Sequence, residues 1–206
     1  MLRRLLFPFV CALALAPAAY ARGGDYVVDG GSRAEQAQVK AALDASSFDF
    51  SVVPAHVAIH VEHGIAPYST PGQIFLDADL LDAGRVSWGV VQHEYGHQVD
   101  FFLLDDADRA RLQALVGGTA WCGGASHAQL GCERFADLVS WAYWASPDNV
   151  MKPSGASDEG GGVAPAAFRA LLAQLLPAAP VRTTASVSVR RPSPKKVRRA
   201  TGSGGS

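Results

Sequence analysis

The chain has 206 residues, of which 49% are hydrophobic, and a formal net charge of −1. This length and composition suit one globular domain with a hydrophobic core, and they argue against a disordered polymer or a pair of domains. The charge is unevenly distributed, because every acidic residue lies between Asp25 and Glu159 while the C-terminal tail is basic.

Residues 1–21 have the pattern of a secretory signal peptide. Arg3 and Arg4 precede an apolar run, and the small-residue site AYA at 19–21 follows it. We therefore expect a secreted or extracytoplasmic protein whose mature chain begins near Arg22. No later stretch has the roughly 20 apolar residues that a membrane span requires, so the sequence predicts no transmembrane segment.

The predicted folded domain spans residues 22–180 and begins with strand and helix signals. The stretch DYVVDGG is strand-like. Ser32 and Glu35 have the three-residue spacing of a capping box, which predicts the start of an amphipathic helix that ends near Ala45.

Alternating hydrophobicity predicts two further strands. In HVAIHVEH, the apolar residues Val57, Ile59 and Val61 recur at every second position, which is typical of a half-buried strand. Glycines and prolines indicate that GIAPYSTPG is a loop, and the following QIFLDADL is a short strand that we expect at the edge of the sheet.

The second half of the domain is predicted to be mainly helical. A stretch without proline, from about Val86 to Leu104, has helical spacing and carries HEYGH near its middle. A second helix ends at Gly117, a third contains CERFADLVSWAYWAS, and a fourth starts at Pro165.

Cysteine usage predicts one disulfide. Removal of the signal peptide leaves Cys122 and Cys132, an even number in an exported chain. A bond between them would close a short loop and stabilise the fold by on the order of 2–3 kcal/mol.

The tail at residues 181–206 has low complexity and no acidic residue, which predicts disorder. A basic tail of this kind is usually a solvated linker, and its functional interpretation is electrostatic attachment to an anionic cell-envelope polymer or lipid surface. No aromatic residues are interleaved with these charges, so nucleic acid is not an expected partner. We expect a monomer.

The sequence HEYGH at 93–97 is the strongest chemical signal. Residues four apart on a helix point in nearly the same direction, so the His93 and His97 imidazoles can bind one ion. Glu94 lies about 100° around the helix, where its carboxylate can act as a general base on a water molecule beside that ion.

A catalytic zinc ion needs a third protein ligand. Glu133 and Asp137 in ERFAD are also four residues apart on a predicted helix, so one carboxylate can bind the ion and the other can accept a hydrogen bond from a ligand histidine. The competing third ligands are Asp100, Asp105 and His127.

HEYGH followed by ERFAD resembles the gluzincins, the thermolysin-like branch of the zinc metallopeptidases. The resemblance covers about residues 52–146. It implies that His93, His97 and Glu133 bind Zn²⁺, that Glu94 is the catalytic base, and that Asp137 supports a ligand histidine.

The resemblance further implies an α+β, zincin-like fold: a small mixed β-sheet with an active-site helix and additional packing helices. In such a fold an edge strand holds the peptide substrate, because a free strand edge can pair an extended peptide. We assign this strand to Ile74, Phe75 and Leu76. Family members often stabilise the oxyanion with a histidine or tyrosine, for which residue type suggests Tyr95, His127 or Tyr143.

The sequence thus predicts a secreted zinc metallopeptidase, a hydrolase that cleaves peptide or protein substrates. One alternative is a non-catalytic envelope-binding module with a structural metal or none. The other is a zinc hydrolase that acts on a non-peptide amide.

Overall fold

The computed structural model describes residues 23–123, 126–153 and 162–176. The predicted signal peptide at 1–21 and the basic tail at 181–206 lie outside the described residues. Within the described ranges the chain has a mixed α+β fold with one small sheet, as predicted.

The sheet has four strands in the order β1-β2-β4-β3. The strand β1 pairs in parallel with β2, which pairs in parallel with β4, and β3 pairs antiparallel with β4. Their bounds are β1 Tyr26–Gly30, β2 Val57–Glu62, β3 Tyr68–Thr70 and β4 Gln73–Asp77. The predicted alternation in β2 is confirmed, since Val57, Ile59 and Val61 are buried.

The prediction that Ile74, Phe75 and Leu76 form an edge strand is wrong. These residues belong to β4, which lies between β2 and β3, and the side chains of Ile74 and Leu76 are buried. The strand at this edge of the sheet is β3. It lies in GIAPYSTPG, the stretch that the glycines and prolines indicated to be a loop. A tight turn at Gly72, whose φ is +78°, lets the chain reverse between β3 and β4.

Within the described residues, five helices lie where the sequence predicts them, whereas a short helix at Ala78–Leu81 occupies the end of QIFLDADL, a stretch predicted to be a strand. Their bounds are α1 Arg33–Ala45, α2 Ala78–Leu81, α3 Trp88–Leu103, α4 Asp106–Val116, α5 Gly131–Tyr143 and α6 Pro165–Leu175. Short 3-10 helices lie at Phe50–Val52, Gly84–Ser87 and His127–Gln129. The predicted capping box of Ser32 and Glu35 opens α1, and Gly117 ends α4.

A single hydrophobic core joins the sheet to the helices. The inner face of the sheet and the inner sides of α1 and α3 contribute to it, as do α4, α5 and α6. The helices α3 and α5 approach each other closely, because a Cβ placed on Gly96 would lie 3.1 Å from Ala136 Cα. The absence of a side chain at Gly96 therefore brings HEYGH close to ERFAD.

The predicted disulfide between Cys122 and Cys132 is present and joins the segment after α4 to the first turn of α5. In the part of the chain that the structure describes, no helix combines the length and hydrophobicity of a membrane span.

Candidate metal centre

The two histidines of HEYGH lie one turn apart on α3 and point to the same place. His93 Nε2 and His97 Nε2 are 3.1 Å apart, and both side chains are nearly buried. This is the convergence that the four-residue spacing predicts.

Glu133, in the first turn of α5, brings a carboxylate to the same point. Its Oε2 atom lies 3.2 Å from His93 Nε2 and 3.2 Å from His97 Nε2. Donor atoms on a tetrahedral zinc ion, with bonds of about 2.0–2.1 Å, are separated by roughly 3.3 Å. The three measured separations are therefore close to those of a zinc ligand set.

The direction of these contacts also fits a shared ion. Glu133 Oε2 is buried, and no group within the described residues donates a well-directed hydrogen bond to it, although imidazole nitrogens lie nearby. A buried oxygen without a hydrogen bond carries a desolvation cost that a bound cation would remove. The donor set therefore fits a divalent metal.

Asp137, one turn after Glu133 on α5, contacts the other side of the His93 ring. His93 Nδ1 lies 2.7 Å from Asp137 Oδ1, the distance of a hydrogen bond in which the ring N–H donates to the carboxylate. This bond directs the Nε2 lone pair toward the cluster. The predicted contact between Asp137 and a site histidine is present.

The charges around the cluster shift the pKa values of its members. Burial opposes the charged form of His93, but the adjacent Asp137 and Glu133 carboxylates outweigh it and raise the pKa of His93 to about 10. Burial would raise the pKa of Glu133, but the neighbouring His93 and His97 hold that pKa well below its usual range. Both shifts arise because carboxylates and imidazoles lie side by side in a buried cluster.

A third histidine reaches the cluster from outside the two helices. His127, in the short 3-10 helix before α5, has its Nε2 atom 2.9 Å from Glu133 Oε2. His93, His127 and Glu133 form a group whose ligand atoms lie within 4.8 Å of one another and which could hold a metal ion. Sequence reasoning named His127 only as a substitute third ligand or an oxyanion donor.

Glu94 faces a cleft of about 340 Å³ that also contains His97, His127 and Glu133. The Ser69 hydroxyl, in the edge strand β3, donates a hydrogen bond to Glu94 Oε2 at 2.8 Å. Glu94 is therefore a nearly buried carboxylate held beside the candidate metal position, which is where its offset on the helix predicts it.

The helix α3 also fixes the strand that borders the cleft. The Gln98 amide donates to Thr70 O and Gln73 O, and its Oε1 accepts from Gly72 N. Gln98 thus holds the turn between β3 and β4. One turn earlier on α3, Glu94 contacts Ser69. The helix α3 therefore positions both the edge strand and the histidines of the cluster.

The competing acidic ligands are engaged elsewhere. Asp100 accepts hydrogen bonds from Arg109 Nε at 2.8 Å and from Trp121 Nε1 at 2.9 Å, and Asp105 caps α4. Both carboxylates therefore have partners outside the cluster.

Of the three oxyanion candidates, His127 alone lines the cleft described above. Tyr95 is fully buried with its ring against Phe50, and its hydroxyl lies beside Gly24. Tyr143 packs edge-on against Phe48 near the end of α5. The two tyrosines are therefore core residues.

Comparison with protein-family models, with curated proteins and with solved structures gives no match to this chain. The geometry of the site is therefore what supports a function.

Proposed function

We propose that this protein is a secreted zinc-dependent peptidase of the gluzincin type. The observation that carries the proposal is the convergence of His93 Nε2, His97 Nε2 and Glu133 Oε2 at 3.1–3.2 Å beside the Glu94 carboxylate. Nitrogen and carboxylate donors in this number are typical of catalytic zinc sites. A related set of two histidines and one carboxylate also binds iron, so metal analysis is part of the test.

Each residue has a defined task in the proposed reaction. Zinc, when bound by His93, His97 and Glu133, would polarise the scissile carbonyl and lower the pKa of water to about 7. Glu94 accepts the proton of the attacking water and transfers it to the leaving amine. The Ser69 hydroxyl orients the Glu94 carboxylate through their 2.8 Å contact.

The cleft supports an extended peptide as the substrate. Tyr68 and Ser69 of β3 line it, and β3 is the outermost strand of the described sheet on this side. An edge strand offers backbone donors and acceptors to a peptide in extended conformation. A substrate paired with β3 would place its backbone near Glu94 and the proposed zinc position.

The decisive experiment uses the mature protein and its Glu94→Gln variant. We expect about one zinc per chain in both, hydrolysis of a peptide library by the wild type, and loss of hydrolysis in the variant. Glu62→Gln, which changes an exposed glutamate on β2, is the matched control and should keep full activity.

Three results would reject the peptidase: a wild type without zinc, a wild type that cleaves no peptide, and a fully active Glu94→Gln variant. Iron in place of zinc would point to a different chemistry. Hydrolysis confined to non-peptide amides would favour the second alternative given by the sequence.

The same proposal includes export and a basic tail that binds anionic envelope polymers. N-terminal sequencing of the secreted protein should find a start near Arg22. Removal of residues 181–206 should abolish sedimentation with an anionic polymer and leave hydrolysis of small peptides unchanged. If the tail-free protein also binds the polymer, the attachment lies in the folded domain.

A further inference from the structure

The cluster contains one more donor than a zinc peptidase requires. Three protein ligands and one open position are typical of catalytic zinc sites, whereas four protein ligands are typical of closed structural ones. His93, His97 and Glu133 make three. His127 is a further donor, because its Nε2 lies 2.9 Å from Glu133 Oε2 and it forms, with His93 and Glu133, a group whose ligand atoms lie within 4.8 Å of one another.

We propose that His127 is a fourth, displaceable metal ligand that closes the site in the resting protein. The inference rests on the proposed function, because it assigns the position that a catalytic water must occupy. Substrates and inhibitors that carry a strong metal-binding group, such as a hydroxamate or a thiolate, would enter by replacing the His127 imidazole.

The position of His127 agrees with a ligand on the open side of the ion. Its side chain is 62% exposed, whereas the side chains of His93 and Glu133 are 6% and 14% exposed. The ring of His127 lies nearly parallel to that of His93, with centroids 6.3 Å apart. His127 therefore approaches from the cleft, the side from which a substrate would also arrive.

His127 is carried by a different element from the other three donors. It belongs to a three-residue 3-10 helix, and not to the long helices that carry the other three donors. The neighbouring backbone is fixed, because Thr119 N donates to Gln129 O and Gly131 N donates to Ala120 O. The fourth position therefore opens when the exposed His127 side chain rotates away, while the helices that carry the other donors stay in place.

The test compares wild type with His127→Ala by metal affinity and by the spectrum of the cobalt-substituted protein. Loss of a direct ligand should lower zinc affinity at least as much as loss of a supporting partner, about tenfold or more. The visible absorption of bound Co²⁺ should change because water replaces an imidazole. Thiocyanate, used as the probe anion, should bind cobalt more tightly in the variant.

At saturating zinc, kcat/KM for a peptide should rise in His127→Ala, because no side chain has to leave. His63→Ala is the matched control, since His63 is an exposed histidine that pairs with Asp79 away from the cluster. His127→Gln, which keeps a polar side chain, should reproduce the changes in zinc affinity and cobalt spectrum. Equal melting temperatures without metal would show that the variants fold.

Unchanged zinc affinity and an unchanged cobalt spectrum in both His127 variants would overturn the inference. A lower kcat with those two readouts unchanged would overturn it too, and would make His127 an oxyanion donor. A protein that binds cobalt through His127 but cleaves no peptide keeps this inference and contradicts the proposed function. A peptidase whose zinc affinity and cobalt spectrum do not depend on His127 contradicts this inference and keeps the proposed function.

Discussion

At the scale of a single residue, the buried carboxylate of Asp137 determines how the His93 ring is oriented. In the neutral imidazole, its 2.7 Å contact with His93 Nδ1 keeps the proton on that nitrogen, so the unprotonated Nε2 faces the cluster. A negative partner also makes the imidazole a stronger donor. The carboxylate therefore acts on the metal through His93.

We expect Asp137→Asn to lower zinc affinity by about 10- to 100-fold, because the amide can accept the hydrogen bond but carries no charge. Competition with a chromophoric chelator would measure the change. Asp44→Asn, on the exposed pair with Lys40, is the control and should bind zinc like the wild type. An Asp137→Asn protein with wild-type affinity would contradict the supporting role.

Sequence reasoning reached the residues whose placement depends on one helix. His93, Glu94 and His97 are related by helical spacing alone, and so are Glu133 and Asp137. The position of His127 depends on the path of the segment between α4 and α5, which follows from the fold around it. Its contact with Glu133 could therefore be read only from the structure.

At the scale of elements, the crossing of α3 and α5 determines whether the two motifs meet. A Cβ on Gly96 would lie 3.1 Å from Ala136 Cα and 3.3 Å from Val139 Cβ. These separations are tighter than ordinary contact, and one neighbour is backbone, which cannot rotate away. Larger side chains at Gly96 must push the helices apart.

We expect Gly96→Val to lose about 1–3 kcal/mol of unfolding free energy through overpacking. It should also bind zinc more weakly, because the histidines move away from Glu133. Urea titration and chelator competition would measure the two effects. Ala110→Val, on the exposed side of α4, is the control for a valine in a helix without overpacking. Glycine has a lower helix propensity than valine, so propensity would not explain a loss in Gly96→Val. A Gly96→Val protein with the unfolding free energy and zinc affinity of the wild type would show that the site tolerates a wider spacing of α3 and α5.

The disulfide is a second element that controls the site. Cys132 directly precedes Glu133, and Cys122 lines the cleft, so the bond ties the segment that carries His127 to the start of α5. In the entropy model, a closed loop of this length lowers the entropy of the unfolded chain and thereby stabilises the folded state by about 3 kcal/mol.

We therefore expect the double variant Cys122→Ser/Cys132→Ser to lose stability and zinc occupancy. A phosphine reductant should have the same effect on the wild type and no further effect on the variant, which separates bond reduction from removal of metal by the reagent. Metal content per chain after gel filtration is the measurement. Unchanged occupancy in the reduced wild type would mean that the helices hold the ligands unaided.

Elements with their own local signals were predicted well. The capping box fixes the start of α1, Gly117 the end of α4, and Pro165 the start of α6. Strand order lacks such a signal, because it depends on which strands pair over long distances. The three-residue strand β3 was missed since Pro67 and Pro71 flank it, and the edge was consequently assigned to β4.

At the scale of the whole molecule, the proposed ligands come from distant parts of the chain. The helix α3 supplies His93 and His97, α5 supplies Glu133, and the segment between α4 and α5 supplies His127. Folding must bring all of them together, whereas the unfolded chain keeps only the local pair of histidines in proximity. A metal that binds the assembled site therefore binds the native state far more tightly than the unfolded state.

Linkage turns this difference into a measurable stability. Free zinc at a hundred times its dissociation constant should stabilise the native state by about 2.7 kcal/mol. For a chain of this size, that should raise Tm by about 5–10 °C above the value in EDTA. Mg²⁺ should give almost no increase, because it prefers oxygen ligands. Glu133→Ala should lose most of the zinc response, since the remaining nitrogen donors lack the carboxylate that neutralises the ion. A wild-type Tm that is equal in zinc and EDTA would mean that the cluster does not bind this metal.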